Sequence, residues 1–251
     1  MIAQFRSALA VMALPLALSL AACGDSASEA SAAAQSEPVA KVAAPAGAQW
    51  VDTVKTTPEG GWLVGNPDAP IKLVEYGSVL CPACAAFGVQ GMEPLMNDYV
   101  NSGRVSYEFR SVLIHGTADL VVVALDACGP PEAVVPRAEA VWQNLPEVME
   151  GLQGNAQAAE AAMQLPEDQR FVEYAARTGL LDYYAKLGLN RDQARQCLAD
   201  AGKMRSMAEQ MQEQAGKDNV QRTPTFRVNG REVEASSWAQ LEPLLQRAGA
   251  R

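Results

Sequence analysis

The chain of 251 residues is 49% hydrophobic and 20% charged, enough for one large or two small packed domains. Its formal net charge of −9, from 29 Asp+Glu against 20 Lys+Arg, excludes the basic footprint that nucleic-acid binding needs. One histidine narrows the metal and acid–base options, and an odd set of five cysteines requires at least one to differ in role from the rest.

Residues 1–22 open with Met1 and Arg6, then run without charge for 15 residues from Ala8 to Ala22. That run falls short of the roughly 20 residues a spanning helix needs, and its positive start and small-residue end read as a secretory signal peptide. The stretch Leu20-Ala21-Ala22-Cys23-Gly24 resembles the bacterial lipobox, which implies a diacylglyceryl thioether on Cys23 and cleavage before it. The alternative is an ordinary signal peptide that leaves a cysteine near its cleavage site. Acyl chains, at about 0.8 kcal/mol per buried CH₂, would hold the chain to a lipid bilayer. Residues 23–49 are mostly Ala, Ser, Glu, Pro and Gly, cannot bury enough surface to offset ordering, and read as a flexible tether.

A folded domain is expected over residues 50–251. A first strand is read at 50–55, with turn signals at Gly60-Gly61-Trp62 and Asn66-Pro67-Asp68-Ala69-Pro70. Ile71-Lys72-Leu73-Val74-Glu75-Tyr76 is a β-branched, apolar-rich run of strand length. Glu75, flanked by apolar residues, is expected to be buried, with a pKa raised by desolvation, and able to relay protons to Cys84. The plainer alternative is an exposed edge glutamate.

Cys81-Pro82-Ala83-Cys84 follows this strand and opens a helical pattern that runs to about Tyr99. A cysteine at a helix N-terminus faces unpaired N–H groups and the positive end of the macrodipole, both of which favour thiolate. Pro82 suits the first turn, where its missing donor costs little. Cys81 is therefore the exposed attacking sulfur and Cys84 the buried resolving one. A zinc site would want a second cysteine pair or spaced histidines, and no metal or other cofactor is expected. A purely structural disulfide closing so short a loop would be a poor staple.

Residues 104–112 alternate as another strand, with Val105, Tyr107 and Phe109 on one side, and His115 just beyond reads as a solvated loop side chain. From about 117 to 216 the Ala-, Leu-, Gln- and Glu-rich chain reads as several helices. Cys128 and Cys197 fall in this block, 69 positions apart. In an oxidising compartment they read as a structural disulfide worth about 4 kcal/mol in the chain-entropy model, the alternative being two inert buried thiols. Met204, Met207 and Met211 recur at helical spacing and read as core. Strand character returns at 224–228 and 231–234 around Asn229-Gly230, a strong two-residue hairpin signal, and Ser236 or Ser237 caps a final helix to about Arg247.

Glu75-Tyr76-Gly77-Ser78-Val79-Leu80-Cys81-Pro82-Ala83-Cys84, Thr223-Pro224-Thr225-Phe226 and Val228-Asn229-Gly230 together resemble the DsbA-like branch of the thioredoxin superfamily of thiol–disulfide oxidoreductases. The resemblance covers residues 50–251. It implies an α/β thioredoxin fold with a helical insertion between a βαβ half and a C-terminal ββα half. It also implies a cis Thr223–Pro224 bond beside the redox pair, with Thr223, Pro82 and Ala83 facing the substrate, and Glu75 as the buried carboxylate. Strongly oxidising relatives carry histidine where this chain has Ala83, so its potential is expected to be lower.

The function expected is dithiol–disulfide exchange with protein thiols and disulfides, more oxidase than reductase, on the periplasm-facing side of the bacterial envelope with a membrane redox partner. A dedicated reductase or isomerase, and a non-catalytic client-binding lipoprotein, stand as alternatives.

Overall fold

The computed structural model describes residues 36–251. The segment read as a signal peptide, Cys23 and the tether up to residue 35 lie outside the described residues. Among the described residues no helix is long and apolar enough to cross a membrane.

One six-stranded sheet carries the molecule, in the order β1-β2-β4-β3-β5-β6. The strands are β1 (Val54–Thr56), β2 (Trp62–Val64), β3 (Ile71–Gly77), β4 (Val105–Ser111), β5 (Thr225–Val228) and β6 (Arg231–Val233). Only the central β3–β4 pair is parallel, Ile71 opposite Val105 through Gly77 opposite Ser111; β5 runs antiparallel on the other side of β3. β3 is thus the middle of the sheet, and Ile71, Leu73 and Glu75 share one of its faces by the period of two.

The helix α1 (Pro82–Pro94) joins β3 to β4. The helical run ends as expected near Tyr99, but beyond α1 it continues as a π-helical turn, Leu95–Val100, in which the Asn101 N–H bonds the Met96 carbonyl at 2.9 Å. Pro94 is the cause, since it lacks a donor and its ring crowds the carbonyl one turn back, so the ladder widens beyond it. Eight helices, α2 (Thr117–Asp126), α3 (Val134–Gln143), α4 (Leu145–Gly154), α5 (Ala156–Ala162), α6 (Glu167–Arg177), α7 (Leu180–Lys186), α8 (Arg191–Ala199) and α9 (Ala201–Lys217), form the insertion. The chain closes with the β5–β6 hairpin and α10 (Trp238–Arg247), whose N-cap is Ser237. Asn229 and Gly230 both take positive φ, as the two-residue turn demands, and the Asn229 side chain accepts from the Lys72 N–H at 2.8 Å, tying the hairpin to β3.

The core is continuous from sheet to insertion. Phe87 of α1 meets Phe226 of β5 with ring centroids 4.6 Å apart, and Trp142 of α3 meets Phe109 of β4 edge-on at 5.6 Å. Met204 and Met211 are buried and Met207 packs on the same core, as their spacing predicts. Cys128 and Cys197 are joined by a disulfide that ties the end of α2 to α8.

Three expectations are corrected here. Trp50–Asp52 is a 3₁₀ turn, so the first strand begins only at Val54. Trp62, read as part of a turn, begins β2, whose three residues pair with β1 and with Phe109–Tyr107 of β4. Residues 36–49, read as the second half of the tether, lie along the domain: Ser36 N–H bonds Arg247 O, Val39 N–H bonds Gly249 O and Val42 N–H bonds Ser102 O, at 2.9–3.0 Å. Composition concealed this because most of the contacts are made by backbone groups, with Val39 alone of these residues packing on the core.

Candidate active site

Cys81 is the N-cap of α1 and Pro82 its first residue, so the positive helix end points at Cys81 as the spacing predicts. The turn before it is held tightly. Ser78 O accepts from the Cys81 N–H at 3.1 Å, and Ser78 Oγ accepts from the Leu80 N–H at 3.0 Å. The same hydroxyl donates to Asp119 Oδ1 at 2.7 Å. Asp119 sits in the first turn of α2 and is 1% exposed, so the insertion braces the turn that carries the cysteines. Its other oxygen accepts from the His115 N–H at 2.5 Å, which places the chain's one histidine as a half-exposed neighbour of this brace.

Both cysteines are free thiols. Cys84 is 0% exposed and Cys81 only 5%, so the attacking sulfur expected to be exposed is a nearly covered one, with Pro82 and Ala83 standing outside it. Across from Cys81 lies the cis Thr223–Pro224 peptide. Thr223 Oγ1 donates to Cys81 Sγ at 3.3 Å, and the Thr223 carbonyl is 3.7 Å from the same sulfur. The hydrogen bond from Cys84 first, then those from Thr223 and the Cys84 and Ala83 N–H groups, pull the Cys81 thiol down to about 5 against the opposing effect of burial. Cys84 goes far the other way, because its own proton is committed to Cys81 and because it is buried.

Glu75 is 0% exposed. Desolvation raises its carboxyl to about 8, the Tyr107 hydrogen bond opposes this, and the Cys81 charge adds a smaller upward push. Tyr107 Oη donates to Glu75 Oε2 at 2.7 Å, while Oε1 has no partner. Gly77 lies beside it: a Cβ placed there would stand 2.8 Å from the Phe109 ring, 2.9 Å from Glu75 Oε1 and 3.5 Å from Cys84 Sγ. Only a glycine leaves the carboxyl and the buried sulfur in one small space.

The site thus assembles Cys81, Cys84, Glu75, Thr223, Pro224, Pro82 and Ala83 from three separate parts of the chain. Cys128 and Cys197 stand apart in the insertion, and Cys23 lies outside the described residues. Among the described residues no group of three or more His, Cys, Asp or Glu could hold a metal ion.

Three contributions escape a reading of the sequence. Thr223 is implied there through its backbone, yet its hydroxyl is the nearest donor to Cys81 outside the Cys-x-x-Cys segment. Ser78 and Asp119 are 41 positions apart, with no local signal joining them. Tyr107 carried a usable signal, since a tyrosine on the inward side of an alternating strand needs a partner for its hydroxyl.

The sequence profile of the family described as thioredoxin matches residues 56–247. The chain is 33% identical over 58 residues, 23% of its length, to disulfide bond formation protein D of Bacillus subtilis (strain 168). It spans about a quarter of the length of the curated relatives it matches, 26% for that protein. Its structure is similar to that of a protein-disulfide isomerase from Novosphingobium aromaticivorans, with a TM-score of 0.67 and 25% identity, covering 74% of this chain and 96% of that one. The fold is also similar to that of Wolbachia pipientis alpha-DsbA1, with a TM-score of 0.56 and 18% identity over 74% of this chain and 89% of the other.

Proposed function

The chain belongs to the thioredoxin family, and from that premise we propose that it is a protein dithiol–disulfide oxidoreductase working through Cys81 and Cys84. One observation carries the reading: Cys81 caps a helix N-terminus with the Thr223 hydroxyl 3.3 Å from its sulfur, while Cys84 lies fully buried in the same turn, so the Cys81 thiol is drawn down and the Cys84 thiol pushed up. Cys81 is then a good leaving group and a ready nucleophile, and Cys84 attacks only after giving up its proton.

In the oxidising direction a substrate thiolate attacks Cys81 Sγ of the disulfide, and Cys84 leaves with the electron pair and takes a proton from the Glu75 carboxyl. A second substrate thiolate then attacks the substrate sulfur of the mixed disulfide, forming the substrate disulfide and releasing the Cys81 thiolate. The reducing direction is the reverse. The exposed side of α1 beside Cys81 carries Ala83, Ala86 and Val89, the last 61% exposed, and no charge from Pro82 to Gln90, a surface suited to apolar segments of unfolded proteins.

The direction proposed is oxidation. A stabilised Cys81 thiolate favours the reduced form and makes the disulfide a better oxidant, and the Thr223 hydroxyl supplies part of what a histidine at Ala83 would supply. The absent histidine favours the second reading, a reductase or isomerase of lower potential. The proposed setting is the bacterial envelope, with the mature chain anchored through Cys23 and recycled by a membrane redox partner. Cys23→Ser should release the protein from the membrane fraction.

Equilibration with glutathione decides the direction. A potential near about −120 mV supports disulfide donation and one near about −270 mV a reductase. Cys84→Ser should trap mixed disulfides, and Thr223→Val should move the thiolate absorbance of Cys81 to higher pH. Full exchange by Cys81→Ser is the result that sinks the mechanism, and a pair that never equilibrates with glutathione returns the client-binding alternative.

A further inference from the structure

The loop that brings Thr223 to Cys81 is fixed at both of its ends, and one side chain reaches both. At its start, α9 stops in a tight cap. Asn219 takes a φ of 50°, its N–H bonds the Gly216 carbonyl at 3.1 Å, and the Val220 N–H reaches back to the Ala215 carbonyl at 2.9 Å. At its end, Thr225 enters β5 and its hydroxyl donates to the Arg222 carbonyl at 2.7 Å. Tyr76 of β3 stands opposite Thr225 in the sheet, and its hydroxyl donates to Oδ2 of Asp218, the residue that ends α9.

Asp218 is gripped from three neighbouring strands. Besides Tyr76, Arg110 of β4 lies 3.6 Å from its Oδ2 and donates to the Tyr76 hydroxyl at 2.9 Å. Arg227 of β5 donates to the Asp218 carbonyl at 2.6 Å and lies 3.4 Å from Oδ1. Arg110 pairs with Tyr76 and Arg227 with Val74, so the period of two puts all three side chains on the sheet face away from Glu75. Arg110 is itself held by Glu108 at 2.7 Å. Arg222, the one charge between Asn219 and Pro224, is turned to Glu232 and Glu234 at 3.5 and 3.2 Å. What the loop presents to Cys81 is the Thr223 hydroxyl, backed by its carbonyl.

We propose that Tyr76, acting through Asp218, is a positioning residue for the reaction: it holds the Thr223 loop so that the hydroxyl stays on the Cys81 sulfur. This rests on the disulfide-exchange reading. Gln221 and Arg222 are exposed, so the place of the hydroxyl is decided by the two anchored ends. A hydrogen bond weakens steeply as its distance and angle depart from the best values, and a loosened anchor at Asp218 therefore weakens the bond at Cys81. The thiolate exists only in the reduced form. Whatever stabilises it favours that form and makes the disulfide a better oxidant, so the Tyr76–Asp218 clamp helps to set the potential from the far face of the sheet.

The test titrates the Cys81 thiolate by its ultraviolet absorbance in the reduced full chain and equilibrates the pair with glutathione at pH 7. Thr223→Val sets the scale. Losing a hydrogen bond to a charged group should raise the inflection by about one pH unit and move the glutathione equilibrium about tenfold toward the disulfide. Tyr76→Phe and Asp218→Ala should each give part of that, about threefold in both readouts. Asp218→Asn keeps an oxygen for the Tyr76 hydroxyl and should stay near wild type. In a Thr223→Val background neither Tyr76→Phe nor Asp218→Ala should move either readout further. An inflection that stays in place in Tyr76→Phe, or a shift that persists in the Thr223→Val background, overturns the positioning role. If Tyr76→Phe does not fold, Asp218→Ala, at a half-buried helix end, decides by the same two outcomes. Full exchange by Cys81→Ser is a separate failure, that of the exchange reading itself, since the thiolate titration needs no substrate.

Discussion

Glu75 and Asp126 are two fully buried carboxyls, each with one oxygen that no protein group meets. Burial raises both to about 8, although Tyr107 at Glu75, and Tyr184 with Arg137 at Asp126, pull the other way. Such groups act on stability in a fixed direction. The unfolded chain releases these protons near 4.5 and 3.8, while the folded chain keeps them to about 8. The stability they contribute is complete below pH ~4 and is lost as pH rises through about 8. Urea midpoints of the oxidised protein should therefore fall between pH 5 and 8. Glu75→Gln and Asp126→Asn should each flatten the fall and stabilise the protein at pH 8 by about 1–3 kcal/mol. A midpoint that climbs over this range would refute the assignment. The oxidised form is needed because a free Cys81 thiolate, held at about 5, has the opposite sign.

At the scale of elements, α1 is positioned by close approach. A Cβ on Gly88 would stand 2.3 Å from the Trp142 ring, so α3 presses directly on the helix that carries the cysteines. The insertion is held in turn by the Cys128–Cys197 disulfide between α2 and α8. Closing 69 residues of chain is worth about 4 kcal/mol in the unfolded-state entropy model. The Cys128→Ala, Cys197→Ala double variant should lose about 2–4 kcal/mol in denaturant titration, with the Cys81–Cys84 potential unchanged. A changed potential would mean that the disulfide reaches the site through α2 and the Asp119–Ser78 bond. The strands readable from sequence are those with long apolar runs or a hairpin signal, β3, β4, β5 and β6. β1 and β2 are three residues each, too short for alternation to show: the strand expected at 50–55 meets β1 only at its end, and β2 is a strand through its pairing to β1 on one side and β4 on the other.

At the scale of the whole molecule, the segment from Ser36 is stitched to the C-terminal residues and to the domain. The Arg251 guanidinium donates to Ser36 O at 2.8 Å, Trp50 Nε1 donates to Val42 O at 2.7 Å, and Ala250 is 2% exposed. A protein beginning at residue 50 should be less stable than one beginning at residue 36 by about 2 kcal/mol, or roughly 4–8 °C in Tm. Equal melting temperatures would show that 36–49 adds nothing to the domain.

Local chemistry was enough to place Cys81 and Cys84 at a helix N-terminus. The Cys-Pro-Ala-Cys segment after an apolar strand specifies a helix N-terminus, and Asn229-Gly230 specifies the hairpin, because dipoles and turn dihedrals depend on neighbours a few residues away. The apolar flanks of Glu75 likewise foretold its burial. The tertiary structure alone decided what surrounds those groups. Thr223 reaches Cys81 from 142 positions away, Tyr107 reaches Glu75 from 32, and Asp119 reaches Ser78 from 41. Each is a single hydrogen bond made after the sheet and insertion have packed, and a hydrogen bond between distant residues leaves no periodicity in the chain that forms it.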